Sequence, residues 1–359
     1  MSVRTLSVDV APPYPVHVGA GALERLGEVC EPFGARAVLT DARVEELHGE
    51  RLAALGAAPR LALEPGEDAK DLGGLGHVLD FLAGAGLDRA GLLVTFGGGV
   101  ISDLGGLAAS LYMRGIAVVH APTTLLAQVD AAIGGKTAVN LSAGKNLAGT
   151  FHQPRAVLCD TALLATLDDE ELRSGLGEVV KSALLAGEDD LARLERDAER
   201  LLARDAEALA GTVAACVALK ARTVAADERE DGPRRALNLG HTFAHAIEHA
   251  AGFGRVPHGV AVAVGLGLAL RLSEAQGRLR DAALPGRLAA LLGRLGLPAG
   301  LAELRAAYGA ALAPVDLERA MRLDKKGRAG RMRPVLLAAP GAPVLDAEVP
   351  LEALATVLG

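Results

Sequence analysis

Tryptophan is missing from these 359 residues, and tyrosine (three) and phenylalanine (six) are scarce. The core must therefore be built from Ala, Val, Leu and Gly; with half of the chain hydrophobic, disorder is excluded. Cysteine is almost as rare. Cys30, Cys159 and Cys216 are odd in number and far apart, which excludes a disulfide framework or a thiolate zinc site, since both need close pairs, and points to a reducing cytoplasm. There is no excess of positive charge: the net charge of −7 argues against a general nucleic-acid surface. The first twenty residues hold no apolar run long enough for a signal peptide. The longest apolar stretch, Val260 to Leu270, is too short to cross a bilayer and reads as a buried helix. Neither nucleic acid nor membrane is expected as a partner.

Lysine is the most telling scarcity. Of 37 basic residues only seven are lysine, namely Lys70, Lys136, Lys145, Lys181, Lys220, Lys325 and Lys326. A chain that supplies its surface charge with arginine and keeps a few lysines has a use for a compact ammonium, such as point contact with a phosphate or carboxylate.

Residues 1–167 alternate short β-branched runs (3–10, 36–39, 92–96, 117–120, 156–159) with amphipathic stretches (20–30, 44–55, 72–83). That order predicts an α/β domain with a mostly parallel sheet and helices on both faces. From residue 168 to 359 the texture changes to long Ala/Leu/Arg/Glu stretches, including 168–185, 191–202, 206–226, 235–251 and 259–276. It predicts an all-α second domain, with one short late strand at 332–338.

The strand pattern 92–96 runs into Gly97-Gly98-Gly99 and then a helical pattern. Consecutive glycines with a helix start behind them form a cradle for an anion such as a dinucleotide pyrophosphate; a plain strand-to-helix turn is the alternative, since GGGVISDLGG is not GxGxxG. Asp103, in the first turn of that helical pattern, can cap amides or hold a nicotinamide ribose. Asp41, ending another strand pattern, can bind a ribose hydroxyl or serve as an N-cap. Gly134-Gly135-Lys136-Thr137 resembles a Walker A ending, but the position that needs its first glycine is Asp130, whose charge would repel phosphates. What remains is a polar cluster of Asp130, Lys136, Lys145, Asn146, Thr123 and Thr124, suited to a polyhydroxylated anion.

Four of nine histidines fall between 241 and 258. His241, His245 and His249 lie on one helical face, His258 opens the next helix, and Glu178 in GLGEVVK has Lys181 one turn on. A carboxylate with two imidazoles and open positions is a catalytic zinc arrangement. Spacing alone pairs His241 with His245, and HTFAH lacks the glutamate of HExxH proteases.

With these residues in hand, the chain resembles the 3-dehydroquinate synthase family, within the sugar-phosphate cyclases. The matching strings are GGGVISDLGG, YMRG, PTTLLAQVD, GGKTAVN, GKN, GLGEVVK, LNLGHTFAHAIEH, PHG and LDKK, from about residue 97 to 326. The part before residue 60 matches loosely, and Ser174 stands where many relatives carry asparagine.

The resemblance implies an N-terminal Rossmann-like NAD domain and a helical C-terminal domain, with zinc or cobalt held by Glu178, His241 and His258. It makes His245 an acid/base group rather than a ligand, with Glu230 and Lys181 beside it in the catalytic set. Substrate contacts would come from Arg114, Asp130, Lys136, Asn146, Lys181, Lys220, Arg234, Asn238 and Lys325. The NAD site would be lined by Asp41, Glu67, Lys70, Gly98, Gly99, Val100, Asp103, Thr123, Thr124, Lys136, Lys145 and Thr166. The implied enzyme is a cytoplasmic homodimeric lyase of aromatic amino acid biosynthesis. It converts a small phosphorylated sugar acid, 3-deoxy-D-arabino-heptulosonate 7-phosphate, to 3-dehydroquinate and phosphate with no net redox change. Another sugar-phosphate cyclase, or a glycerol-dehydrogenase-like enzyme, is the alternative.

Overall fold

The computed structural model describes residues 3–310, 312–323 and 331–358. It divides into two compact units, residues 1–168 with 206–229, and residues 169–205 with 230–359.

The first unit is built on a seven-stranded sheet of β1 (Arg4–Val8), β2 (Tyr14–Val18), β3 (Arg36–Asp41), β4 (Arg60–Leu63), β5 (Leu92–Gly97), β6 (Ala117–Pro122) and a last strand, Ala156–Cys159. Between β6 and that last strand lies a separate antiparallel hairpin of β7 (Lys136–Leu141) and β8 (Gly144–Phe151), so Ala156–Cys159 is β9. The sheet order is β1-β2-β9-β6-β5-β3-β4, antiparallel only between β1 and β2.

Side-chain alternation makes this a sandwiched sheet. Ala37, Leu39, Leu93 and Val118 point into one apolar layer with α3 (Leu72–Gly84) and α4 (Gly99–Leu111). Val38, Leu92, Val94, Phe96 and Val119 point into the other, with α1 (Leu26–Cys30) and the turn around Leu52 and Leu55. Every residue of β5 is buried, as a central parallel strand covered on both faces requires. Two short helices start on their own side-chain caps: Asp41 accepts from Val44 N at the head of α2 (Ala42–His48), and Asp71 from Gly74 N at the head of α3.

The second unit is helical: α5 (Asp169–Ala186), α6 (Glu188–Leu202), α8 (His241–Ala251), α9 (His258–Ala275), α10 (Leu284–Arg294), α11 (Leu301–Tyr308), α12 (Pro314–Leu323) and α13 (Leu351–Leu358), where α7 is the intervening helix Ala206–Ala226. Four short strands accompany them: β10 (Arg331–Met332) pairs with β13 (Val349–Pro350), and β11 (Leu336–Ala339) with β12 (Ala342–Val344). The late strand expected at 332–338 is thus two short pieces.

Three differences from the sequence reading have physical causes. Helix α7 groups with the first unit, because its buried face packs on β1, β2 and the turns at 127–131 and 161–166; helical texture says nothing about which layer a helix covers. The helix expected over 235–251 is broken at Gly240, which sits at φ 80°, a left-handed conformation that costs only glycine little. The run 260–270 belongs to an 18-residue helix, α9, long and apolar enough by composition to cross a membrane, as is α7. In both helices most residues are buried within the fold.

Candidate active site

In the first unit the chain reverses direction across the sheet between β3 and β5: β4 lies outward on one side, β6 and β9 on the other. Ligands of open α/β sheets bind beyond the carboxyl ends of strands at such a switch point. Asp41 ends β3 and Gly97 ends β5, on adjacent strands. Gly98 is the N-cap of α4, with no side chain to satisfy the first-turn amides; Gly99 and Val100 open that turn, half-buried. Asp41 takes the capping option, its Oδ1 accepting from Val44 N at 2.8 Å. Burial pushes its carboxyl above the usual range against that hydrogen bond.

Asp103 lies one residue past the first turn of α4 and caps nothing there. Its partner is Lys70, whose buried Nζ is 2.6 Å from Asp103 Oδ2 and 2.6 Å from Asn146 Oδ1. Burial raises the Asp103 carboxyl, and the Lys70 ammonium opposes that rise. The same network continues through a residue the sequence reading passed over: Asn140 donates Nδ2 to Glu67 Oε1 at 2.7 Å, and its Oδ1 accepts from Asn146 N at 3.0 Å. Glu67 and Lys70, Asp103, and Asn146, from three separate stretches of sequence, form one group with Asn140 as a link. Asn140 closes the GGKTAVN string, the signal that could have found it.

Asp130 sits in a π-helical turn, Ala127–Ala131, closed by Ala132 N donating to Ala127 O at 3.1 Å. Such turns recur at functional sites. The ammonium of Lys220, brought in on α7, contacts the Asp130 carboxylate and lies 2.6 Å from its carbonyl oxygen. Thr124 caps the same turn through Ala127 N at 3.2 Å, and Thr123 is buried beside it. Lys136 is exposed at the start of β7, Lys145 half-buried at the start of β8, and Arg114 exposed ahead of β6. Thr166 is exposed and contacts His48 Nε2 at 2.7 Å.

Among the described residues, five non-glycine residues have positive φ: Met113, Arg114, Asn146, Arg204 and Glu230. Three of them, Arg114, Asn146 and Glu230, were singled out from sequence for chemistry, and strain of this kind concentrates at functional positions.

The second unit holds the densest group. Glu178, fully buried on α5, His241 at the first turn of α8 and His258 at the first turn of α9 each offer one ligand atom, all within 4.8 Å of one another. Glu178 Oε1 is 3.5 Å from His241 Nε2 and 3.4 Å from His258 Nε2, while Oε2 faces Lys181 Nζ at 2.5 Å. Donors about 2.0–2.1 Å from a tetrahedral ion are about 3.3 Å apart. The two separations from Glu178 and the mixed O/N donor set therefore fit a zinc-like cation.

The free imidazole edges are oriented as such a site needs. His241 Nδ1 is 3.2 Å from Leu239 O, and His258 Nδ1 is 3.3 Å from Glu248 Oε2. Burial, then the Lys181 charge, holds His241 well below the usual imidazole range, so its Nε2 keeps a lone pair. For His258, burial works downward, but hydrogen bonds to Glu178 and Glu248 outweigh it and push the ring up to about 10.

His245 is exposed, its ring centroid 5.5 Å from that of His241 and 6.3 Å from that of His258. The fold thus selects His241 with His258, not the i, i+4 pair that spacing suggests. Asn238 donates Nδ2 to Glu230, and Arg234 is buried in the turn between them. Ser174 turns its oxygen to accept from Gly259 N at 3.1 Å. Lys325 and Lys326 lie outside the described residues.

Comparison with known proteins gives the chain its relatives. The family model for the 3-dehydroquinate synthase N-terminal domain matches residues 60–174, and that for the C-terminal domain matches residues 175–327. A 3-dehydroquinate synthase from Azotobacter vinelandii is 42% identical over 362 residues, 99% of this chain and 96% of the relative. The chain belongs to the 3-dehydroquinate synthase family. Among solved structures, 2-deoxy-scyllo-inosose synthase with carbaglucose-6-phosphate, NAD+ and Co2+ superposes with a TM-score of 0.88 at 25% identity, covering 99% of both chains. A 2-epi-5-epi-valiolone synthase from Streptomyces hygroscopicus with NAD+ and Zn2+ gives 0.85 at 30% identity, covering 96% of this chain and 95% of that one. The family models begin at residue 60, whereas the Azotobacter relative extends the match over the N-terminal strands as well.

Proposed function

We propose that this chain is a 3-dehydroquinate synthase, releasing phosphate from 3-deoxy-D-arabino-heptulosonate 7-phosphate and closing the carbocycle. The observation that carries the reading is the Glu178, His241 and His258 triad with Lys181 against it, in a chain of this family. Glu178 Oε1 and the two Nε2 atoms would hold zinc or cobalt. Asp41, Glu67, Lys70, Gly98, Gly99, Val100, Asp103, Thr123, Thr124, Lys136, Lys145 and Thr166 would serve NAD, supported by the amide-rich start of α4 and the switch point beside Asp41. When bound, NAD supplies hydride uptake and return, and the divalent ion supplies polarisation of a substrate oxygen.

The protein's own groups then have assignable work. In the first unit, Arg114, Lys136 and Lys220 offer cations to phosphate and carboxylate, with Asp130 and Asn146 holding hydroxyl groups. In the second, Lys181, Arg234 and Asn238 do the same, and Lys325 is assigned with them. His245, exposed with its ring near those of His241 and His258, would move a proton at its ring nitrogens, with Glu230, held by Asn238, as a second carboxylate. Elimination breaks a carbon–oxygen bond and frees phosphate intact. We further propose a cytoplasmic homodimer, on the resemblance and on the scarcity of cysteine.

The test is phosphate release from several sugar phosphates with nicotinamide absorbance followed in parallel. Release from the carboxylated heptulosonate without accumulation of NADH is the expected result. Stoichiometric NADH, or release only from sugars lacking a carboxylate, would overturn the assignment in favour of a dehydrogenase or another cyclase.

A further inference from the structure

Helix α8 carries more of the metal site than its ligand. Positions 241, 245 and 248 are spaced i, i+4, i+7 and share one face. The last of them, Glu248, is 1% exposed. A carboxylate is buried so deeply only when something fixed receives its charge. Its Oε2 is 3.3 Å from His258 Nδ1, and the opposite nitrogen of that ring, Nε2, is 3.4 Å from Glu178 Oε1.

His258 needs such a partner more than His241 does. It follows Pro257 as the first residue of α9, and its side chain is 31% exposed, so packing alone leaves the ring free to turn. His241 is 10% exposed at its side chain and has the Leu239 carbonyl at Nδ1.

We propose that Glu248 is a positioning residue for the divalent ion. By accepting the Nδ1 proton of His258 it fixes the tautomer and ring plane, leaves the Nε2 lone pair aimed at the ion, and makes that nitrogen a stronger donor. The inference rests on the triad being a metal site. It adds a fourth side chain that touches neither ion nor substrate.

The test compares wild type, Glu248→Gln and Glu248→Ala, each stripped with chelator and titrated with Zn2+ against a competing chelator, and with Co2+ by visible absorption. Glu248→Ala should bind Zn2+ about 10–100-fold more weakly, the range for lost outer partners. Glu248→Gln, which keeps an acceptor but not the charge, should fall between, and the Co2+ bands should shift in both. Should Glu248→Ala fail to fold, the near-isosteric Glu248→Gln decides the matter by the same titration. Wild-type binding with unchanged Zn2+ affinity and Co2+ spectrum in the variants would overturn the role of Glu248 alone. Failure of the wild-type protein to bind either ion would overturn this inference and the metal reading together.

Discussion

Gly177 and Gly259 meet backbone to backbone: a Cβ on Gly177 would lie 1.9 Å from the carbonyl oxygen of Gly259. A Cβ on Gly259 would in turn lie 1.7 Å from the carbonyl oxygen of Ser174. Helices α5 and α9 can therefore approach as only glycines permit. Because Gly177 precedes Glu178 and Gly259 follows His258, this crossing is what brings carboxylate and imidazole to 3.4 Å. Gly177→Ala should cost about 1–3 kcal/mol as an overpacked contact and weaken Zn2+ retention at least tenfold. Chemical denaturation and metal titration of the same sample measure both, and an unaltered metal affinity would detach the crossing from the site.

Removing a donor from the triad should be more severe. Glu178→Gln and His241→Ala are expected to lose metal after dialysis and to fall at least 1000-fold in turnover, as loss of a Lewis acid worth several kcal/mol implies. Metal analysis with the phosphate-release assay checks this. Full activity in either variant would refute the ligand assignment.

Arg114 stands at φ 69° just after Met113 at φ 51°, holding a guanidinium out where it is exposed. Arg114→Ala should leave folding unchanged and raise the substrate KM by ten-fold or more, with a smaller effect on kcat, since a lost charged hydrogen bond to substrate is worth about 1.5–3 kcal/mol. An unchanged KM removes the residue from substrate binding.

Lys70 separates two consequences of one contact. Lys70→Met takes the cation from Asp103, a partly buried carboxyl raised by that burial, and should destabilise by about 1.5–3 kcal/mol, the worth of a charged hydrogen bond. Pairing it with Asp103→Asn should restore part of that loss, because no carboxylate is then left without its ammonium. A double-mutant cycle by urea unfolding reads the coupling; additive losses would show that the ion pair contributes nothing to stability.

His120 sets a pH dependence unconnected with catalysis. Its ring is buried, with Nδ1 2.7 Å from Thr95 Oγ1. Burial, with a smaller push from His152, holds it down to about 3 from an ordinary 6.5. The unfolded chain takes up this proton below pH 6.5 and the folded chain does not. Stability is therefore greatest above 6.5 and declines as pH falls towards 3, by about 1.4 kcal/mol per pH unit at most. His120→Asn should flatten the slope between pH 6 and 4 by about one proton, and an unchanged slope would show that the ring is protonated in the folded state.

Much of this protein was legible from periodicity. Strands 92–96 and 156–159 and helix 206–226 follow directly from apolar runs and their length. The hairpin of β7 and β8 did not, because only Thr137 and Val139 of its strands are buried, so no apolar run marks it. The break at Gly240 was hidden for the opposite reason: helical texture continues on both sides of a single glycine. Lys70, Asp103 and Asn146 could be named as site residues from the resemblance, whereas Asn140, although it closes the GGKTAVN string, was passed over because its link from Asn146 to Glu67 exists only in the folded chain.

By itself the sequence determined composition, the order of strands and helices, and the chemical types available, since these depend on neighbours within a turn or two along the chain. Which histidine joins Glu178, which helix covers which sheet face, and where Glu248 directs its charge were decided only by tertiary structure. Those choices depend on how closely separate backbones approach, and at α5 and α9 that distance is set by two glycines some eighty residues apart.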